Sequence, residues 1–140
     1  MNPQDYQSPA LVAPVYIAMG RKVDAEASHR RCLRIIEKHL ELHPDDARAL
    51  YFGAGALCQL GEKGRGIEWA DRALAMDPED PSVLYNVACV YSNAGEIEKA
   101  IDCLEKSITS GMGQKDWIEN DADLDALRPH PRFQALLKRL

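Results

Sequence analysis

Apolar residues recur at three- and four-residue spacing along most of the chain, and glycine or proline interrupts them at regular intervals. This spacing follows the 3.6-residue turn of an α-helix, so it predicts a series of amphipathic helices. Gly61 and Gly95 lie where paired helices should end, because glycine accepts the left-handed conformation of a helix terminus. Asp80 and Pro81 should begin a helix, since the carboxylate caps free amides and proline lacks one. The pattern therefore predicts an all-α protein of paired helices.

The pattern also returns at a fixed period of 34 positions, which indicates a repeat protein. Residues 56–61, Ala-Leu-Cys-Gln-Leu-Gly, are similar to residues 90–95, Val-Tyr-Ser-Asn-Ala-Gly, and residues 15–20 form a third segment of this kind. Pro44 and Pro78 are separated by the same period. One pair of helices cannot bury both of its faces, so we expect consecutive pairs to stack.

The repeated positions resemble those of the tetratricopeptide repeat. In that family a large apolar residue, a small pair and an aromatic residue on one helix precede an alanine and an apolar residue on the next. Close matches in the third unit are Leu84, Val87, Ala88, Tyr91, Ala100 and Leu104. Looser matches in the second unit are Leu50, Gly53, Ala54, Leu57, Gly66, Ala70 and Pro78. The resemblance covers about residues 6–111 and implies a right-handed superhelix of three helical hairpins that binds proteins and is not an enzyme.

We predict a single domain that closes with a cap. The predicted parts are repeats at about 6–44, 45–78 and 79–111 and a C-terminal cap over 112–140. A capping helix needs one apolar face for the last repeat. The closing helix over 131–140 offers Phe133, Leu136, Leu137 and Leu140 for that face. The tail from Trp117 to Phe133 also resembles the C-terminal ends of bacterial nucleotide-cyclase and serine/threonine-kinase signalling proteins, which implies a regulatory end of such a protein.

The first repeat is longer than the second. Gly20 and Pro44 are 24 positions apart, whereas Gly61 and Pro78 are 17 apart. The seven extra residues are close to two helical turns, so side chains keep their facing. We therefore predict one long helix over 24–42, whose inward stripe consists of Cys32, Ile36 and Leu40.

The first helix carries no charged residue between Pro9 and Met19. A helix that is apolar all round is normally covered all round. An upstream part of a longer protein, a second copy of the chain, or residues 1–7 folding back would provide that cover. The residues predicted for a self-association face are Leu11, Val12, Val15, Ile17 and Met19. Pro14 should bend this helix or delay its start, because it removes one backbone hydrogen bond.

The resemblance also implies a binding surface, since the first helix of each tetratricopeptide pair lines a concave groove. The predicted groove residues are Arg48, Tyr51, Phe52, Cys58, Gln59, Tyr85, Asn86, Cys89 and Asn93. Tyr51 and Tyr85 should form a two-rung ladder and supply contact area at little entropy cost. The groove lacks the lysine pair with which some family members hold acidic chaperone tails, so the mixture suggests a peptide or helix of modest charge. Alternatively, these side chains merely complete the groove surface.

Composition narrows the class further. Hydrophobic residues make up 46% of the 140 residues, which is typical of a globular domain, and the net charge of −5 argues against a general nucleic-acid binder. No apolar run reaches a bilayer-spanning length and no secretory signal opens the chain, so we predict a cytoplasmic protein with no membrane partner. The cysteines, which lack metal-ligand spacing, are interpreted as buried thiols in a reducing compartment: Cys32, Cys58, Cys89 and Cys103.

Three segments could suggest ion or phosphate chemistry: Asp121 with Asp123 and Asp125, residues 61–66, and His39 with His43. The aspartates lack the glycine and glutamate of a calcium loop, where Ala126 and Arg132 stand instead. The glycine-rich segment joins two helices, whereas a phosphate loop follows a strand. The two histidines have no third ligand nearby and are expected to lie exposed near a helix C-terminus. We therefore predict no metal, no cofactor and no catalytic residue.

Overall fold

The computed structural model describes residues 5–111 and 113–140, and the described chain is α-helical without strands. Six long helices are followed by a short helix, a 3₁₀ segment and a closing helix. Their bounds are α1 Gln7–Ala18, α2 Lys22–Leu42, α3 Ala47–Gln59, α4 Lys63–Met76, α5 Pro81–Ala94, α6 Ile97–Thr109, α7 Lys115–Asn120, the 3₁₀ segment Ala122–Leu127 and α8 Pro131–Lys138. The predicted all-α class is confirmed.

Consecutive helices form hairpins that stack on one another. The pairs α1 with α2, α3 with α4 and α5 with α6 pack most extensively, while α2 with α3, α4 with α5 and α3 with α5 join neighbouring hairpins. This nearest-neighbour packing is the architecture of a helical solenoid. No helix among the described residues is both long and apolar enough to cross a membrane.

The predicted helix boundaries follow from local chemistry. Gly61 and Gly95 both adopt the left-handed conformation, with φ of 86° and 85°. The Asp80 carboxylate accepts from the backbone N–H groups of Ser82 at 2.8 Å and Val83 at 3.1 Å, so it caps α5 as predicted. Asp46 stands one repeat earlier and caps α3 in the same way, which shows that the repeat includes its own start signal.

The long second helix is present and begins two residues before the predicted start. It contains 21 residues, whereas α4 and α6 contain 14 and 13. Cys32 and Ile36 are fully buried, and Leu40 packs against the core. The extra turns therefore extend the helix without rotating its apolar stripe away from α3.

The back of α3 packs closely against α4. A Cβ atom added to Gly66 would lie 2.6 Å from the Cys58 sulfur and 3.0 Å from the Ala54 carbonyl oxygen. Side chains longer than a hydrogen cannot fit there, so the glycine predicted as a close-packing residue has that role. Cys58 is consequently buried between these helices.

The first helix is continuous through Pro14, so the proline does not delay its start. In α1, Pro9 and Ala13 are buried, whereas Leu11 and the C-cap residue Met19 expose 68% and 62% of their surface. The described part of the chain therefore does not provide the predicted all-round cover. Residues 1–7 were one predicted cover for α1, and of these, residues 1–4 lie outside the described residues. Tyr6 packs elsewhere, edge-on against Phe52.

The closing helix packs against α6 and the end of the core. Phe133 and Leu136 are buried, and Leu137 and Leu140 are partly buried against the same core. Arg132 donates to Glu98 at 2.9 Å and to Asp102 at 2.8 Å, both on α6. The apolar contact and these ion pairs hold α8 against the last hairpin.

Candidate partner-binding groove

The open part of the predicted groove lies on α3. Arg48 and Gln59 are exposed, and Tyr51 and Phe52 are half-buried. The Tyr51 ring stacks on Phe52 with centroids 5.4 Å apart, and the Arg48 guanidinium lies 5.8 Å from the Phe52 ring centre. Gly55 lies in the same stretch, and a Cβ atom there would meet nothing within 4 Å. This surface combines aromatic area, a positive charge and unfilled space.

Cys58, by contrast, does not belong to the groove surface. Its side chain faces Gly66 of α4 and is buried, because the two helices approach closely at that point. Burial raises the pKa of its thiol, with a smaller opposing effect from Lys63. The prediction that Cys58 lines the groove was therefore wrong.

The equivalent part of α5 is covered by the chain itself. Tyr85, Cys89 and Asn93 succeed one another at four-residue spacing, and the segment after α7 lies across them. The Tyr85 hydroxyl donates to the Asp121 carboxylate at 2.6 Å, and the Asn93 amide donates to the Asp123 carboxylate at 3.1 Å. Tyr85 and Cys89 are buried as a result. These three predicted groove residues therefore contact the C-terminal segment instead of an open groove.

Apolar anchors hold this covering segment in place. Ile118 of α7 and Leu124 and Leu127 of the 3₁₀ segment are almost fully buried. Asp121 also caps the 3₁₀ segment by accepting from the Asp123 backbone N–H at 3.0 Å. The sequence argued against a calcium loop at the alternating aspartates, but it did not reveal their contact with α5. The four-residue spacing of Tyr85, Cys89 and Asn93 was the available signal.

The electrostatics of the covered face favour uncharged side chains on α5. Burial, with a further contribution from the hydrogen bond to Asp121, raises the pKa of Tyr85. Burial and the nearby carboxylates also raise the pKa of the Cys89 thiol. The pKa of Asp123 is raised by desolvation and by its acidic neighbours, despite the hydrogen bond from Asn93. Tyr85 and Cys89 are therefore neutral, the phenol acting as a donor.

Ligand atoms of Cys89, Asp121 and Asp123 lie within 4.8 Å of one another, which could hold a metal ion. Tyr85 and Asn93 already hydrogen-bond the two carboxylates, and this accounts for their position without an ion. The absence of a metal there stays a prediction.

The remaining predicted groove residues differ in their surroundings. Asn86 donates to the Ser82 backbone carbonyl at 2.8 Å, one turn earlier on its own helix. Tyr51 and Tyr85 occupy equivalent positions of consecutive repeats, but Tyr85 lies beneath the C-terminal segment while Tyr51 stacks on Phe52. Of the two tyrosines in the predicted ladder, only Tyr51 is therefore accessible.

The other chemically interesting residues have structural roles. All four cysteines are buried, as predicted, and burial raises the pKa of Cys32 to about 12 and that of Cys103 to about 11, with charged neighbours adding smaller effects at Cys103. Such thiols are poor nucleophiles, because the thiolate is the reactive form. His39 is half-buried rather than exposed, and its Nε2 lies 2.7 Å from the Asp46 carboxylate. It supports the cap of α3.

The described residues form a stacked helical-hairpin protein that is consistent with the tetratricopeptide fold, whose members generally bind proteins and are non-catalytic. Residues 69–102 match the family model described as tetratricopeptide repeat, so the chain carries at least part of the repeat that its period predicted. This match supports an interaction scaffold as the general class of the protein.

Three longer proteins are similar to the chain. It is 30% identical over 118 residues to the cytochrome c-type biogenesis protein CycH of Rhizobium meliloti (strain 1021), covering 84% of this chain and 30% of that protein. It is 40% identical over 63 residues to a chloroplastic protein of Arabidopsis thaliana, covering 44% and 19%. It is 26% identical over 110 residues to the cellulose synthase operon protein C of Pseudomonas fluorescens (strain SBW25), covering 74% and 8%. The chain thus spans less than a third of each relative.

Proposed function

We propose that the chain is an interaction scaffold that binds a peptide or helix of another protein in the concave groove formed by α3. The observation that carries the proposal is the uncovered surface around Gly55. A Cβ atom at this glycine meets nothing within 4 Å, although aromatic and charged side chains surround it. Half-buried aromatic rings beside an arginine are typical of residues that dominate binding energy.

Gly55→Trp is the sharpest test, because it adds a large side chain at a Cβ position that meets nothing within 4 Å. Gly64→Trp is its matched control, since a Cβ at Gly64 also meets open space but lies on α4, away from the groove residues. Partner capture from cell extract should be lost with Gly55→Trp and retained with Gly64→Trp. Equal capture by both variants would place the binding surface elsewhere.

A second candidate function is self-association through α1. It is supported by the apolar side chains that α1 leaves uncovered, of which Leu11, Val15, Ile17 and Met19 are exposed and Val12 is half-buried. Light scattering at micromolar concentration should then report a dimer that Leu11→Glu with Val15→Glu converts to a monomer. A wild-type monomer would refute this candidate.

The role in a larger signalling protein stays a prediction. It rests on the resemblance of residues 117–133 to the ends of cyclase and kinase proteins, and the three relatives described above bear other names. In that version α1 would mediate regulation by self-association, and the same light-scattering measurement tests it. Cytoplasmic location likewise stays a prediction.

A further inference from the structure

The covered face of α5 shows what kind of segment a groove surface of this chain accepts. The bound segment presents two carboxylates separated by a single residue, Asp121 and Asp123, between the apolar anchors Ile118 and Leu124. Each carboxylate receives a hydrogen bond from α5, one from a phenol and one from an amide, eight residues apart. The contact between α5 and the C-terminal segment therefore shows how a tyrosine and an amide on one helix can hold two carboxylates of another segment.

The same donor types recur one repeat earlier, on α3. Tyr51 is the repeat counterpart of Tyr85, and Gln59 is the repeat counterpart of Asn93. Tyr51 and Gln59 are therefore also eight residues apart, which places a phenol and a primary amide on one side of the helix, two turns apart. Between them stands Gly55, the counterpart of the buried Cys89.

Among the residues that the structure describes, this second surface is open at Gly55, where the first is covered, and Tyr6 packs against Phe52 beside it. Gln59 and Arg48 are exposed, Tyr51 is half-buried, and the space above Gly55 is empty to 4 Å. Arg48 replaces the Ser82 of the third repeat and adds a positive charge that the α5 surface lacks at that position. A carboxylate arriving here would meet the same two donors together with a cation.

The acidic groups nearby are already engaged. Asp80 lies close enough to Tyr51 to affect its ionisation, but its carboxylate accepts two backbone N–H groups at the start of α5. Asp46 accepts from the Ala49 N–H and lies against His39. Burial raises the pKa of Tyr51, with a smaller opposing effect from Arg48, so the phenol keeps its proton and can donate.

We propose that the α3 surface binds an acidic segment of a partner protein, in which two acidic residues separated by a single residue are flanked by apolar residues. Tyr51 donates to one carboxylate, Gln59 donates to the other, and Arg48 supplies charge complementarity. Gly55 provides the space that the segment's backbone occupies. This inference deepens the proposed function and rests on it, because it names the ligand of the same groove as an acidic segment, where the sequence suggested a peptide or helix of modest charge.

The probe for this site is a labelled synthetic peptide with the sequence of residues 114–128, which carries the aspartate pair and both anchors. The tethered C-terminal segment has an effective concentration of about 1 mM at α5, so added peptide should fill α3 first. Fluorescence anisotropy with the full chain should show saturable binding. Replacing the peptide's Asp121 and Asp123 by asparagine should weaken binding by about tenfold or more, since charge-assisted hydrogen bonds are lost.

Two opposite substitutions at one exposed position test the sign of the effect. Gln59→Lys should tighten peptide binding, whereas Gln59→Glu should weaken it by about tenfold. Tyr51→Phe should also weaken binding while leaving the helical circular dichroism spectrum unchanged. Gly64→Trp should have no effect. Equal affinities for Gln59→Lys and Gln59→Glu would overturn the proposal.

Other occupants give distinguishable results. If Tyr85→Phe rather than Tyr51→Phe changes the affinity, the peptide exchanges with the C-terminal segment on α5, and the proposal is wrong. If the chain without peptide forms a dimer that Gln59→Glu dissociates, the occupant is the tail of a second copy, which also overturns it. If Gly55→Trp abolishes partner capture but the peptide binds equally well with asparagine in place of Asp121 and Asp123, the groove function stands and its acidic specificity is wrong.

Discussion

Among the described residues, the side of α3 that carries the predicted groove residues is open at Gly55, whereas the equivalent side of α5 lies beneath the chain's own C-terminal segment. Both sides present a tyrosine and, eight residues later, a primary amide, because the two helices occupy equivalent places in consecutive repeats. They differ in the residue between, Gly55 or Cys89, and in whether a C-terminal segment lies across them. The difference shows that repeat position determines which side chains a surface presents, while the neighbouring elements determine whether they are covered.

The largest expected effect comes from uncovering α5. Leu124 of the 3₁₀ segment is fully buried, so Leu124→Ala should lower the free energy of unfolding by about 2–5 kcal/mol. Urea denaturation measures the loss, and limited proteolysis should cut the C-terminal segment first. Leu42→Ala is the control, because Leu42 exposes 81% of its surface and should change stability by about 0.5 kcal/mol or less. Equal losses would mean that the C-terminal segment is not anchored as described.

The next effect compares the back of α3 with its front. Gly66→Ala places a methyl group against the Cys58 sulfur and the Ala54 carbonyl, so it should lower the free energy of unfolding by about 2 kcal/mol. Gly55→Ala enters open space and should stabilise the helix by about 0.5–1 kcal/mol. Thermal unfolding of both variants checks the opposite signs. Destabilisation by Gly55→Ala would show that the groove side of α3 is packed.

A smaller effect separates the two tyrosines. Tyr85→Phe removes the donor to the Asp121 carboxylate and should lower the free energy of unfolding by about 1.5 kcal/mol. Tyr51→Phe should change the free energy of unfolding by about 0.5 kcal/mol or less, since its half-exposed ring keeps the stack on Phe52. Urea denaturation of the pair distinguishes a covered surface from an open one. Equal effects would contradict the difference between the two repeats.

The smallest effect is on pH dependence, and its sign differs between the two regions. Desolvation and acidic neighbours raise the pKa of Asp123 above 3.8, so stability from this group increases as pH falls from the raised pKa toward 3.8. Desolvation alone would raise the pKa of Asp46, but hydrogen bonds from Ala49 and His39 lower it below 3.8. Stability from Asp46 is therefore present above pH 3.8 and is lost as pH falls through the lowered pKa.

Asn variants isolate these two contributions. As the pH falls, wild-type Asp123 adds to the free energy of unfolding, and Asp123→Asn should remove this gain. Wild-type Asp46 lowers the free energy of unfolding as the pH falls, and Asp46→Asn should remove this loss. Urea denaturation at a series of pH values around 3.8 measures both slopes. Slopes of the same sign would be inconsistent with the environments described for the two carboxylates.

Most of the fold could be predicted because its signals are local. The left-handed glycines, the Asp80 cap and the extended α2 each depend on residues within a few turns of one another. The cover over α5 could not be predicted in this way. The hydrogen bond from Tyr85 to Asp121 joins residues 36 positions apart, and nothing in the local pattern of the alternating aspartates links them to α5.

The candidate site divides along the same line. Arg48, Tyr51, Phe52 and Gln59 are exposed or half-buried, as the helical period predicts for positions outside the packed stripe, and their role in a groove stays a prediction. Cys58 departs from the prediction because its direction depends on how closely α4 approaches at Gly66. For side chains near the edge of a helical stripe, the packing of the neighbouring helix decides whether they face the core or the groove, and the helical period alone does not predict this.

The sequence by itself determined the repeat and its period, the helix ends, the buried cysteines and the types of donor that face the groove. These features depend on helical periodicity and on the backbone preferences of glycine, proline and aspartate. The tertiary structure alone decided that the C-terminal segment covers α5, that α3 stays open and that α1 leaves apolar side chains uncovered. Those outcomes depend on which distant surfaces match in shape and chemistry, and a stacked array buries each face only where a neighbour lies against it.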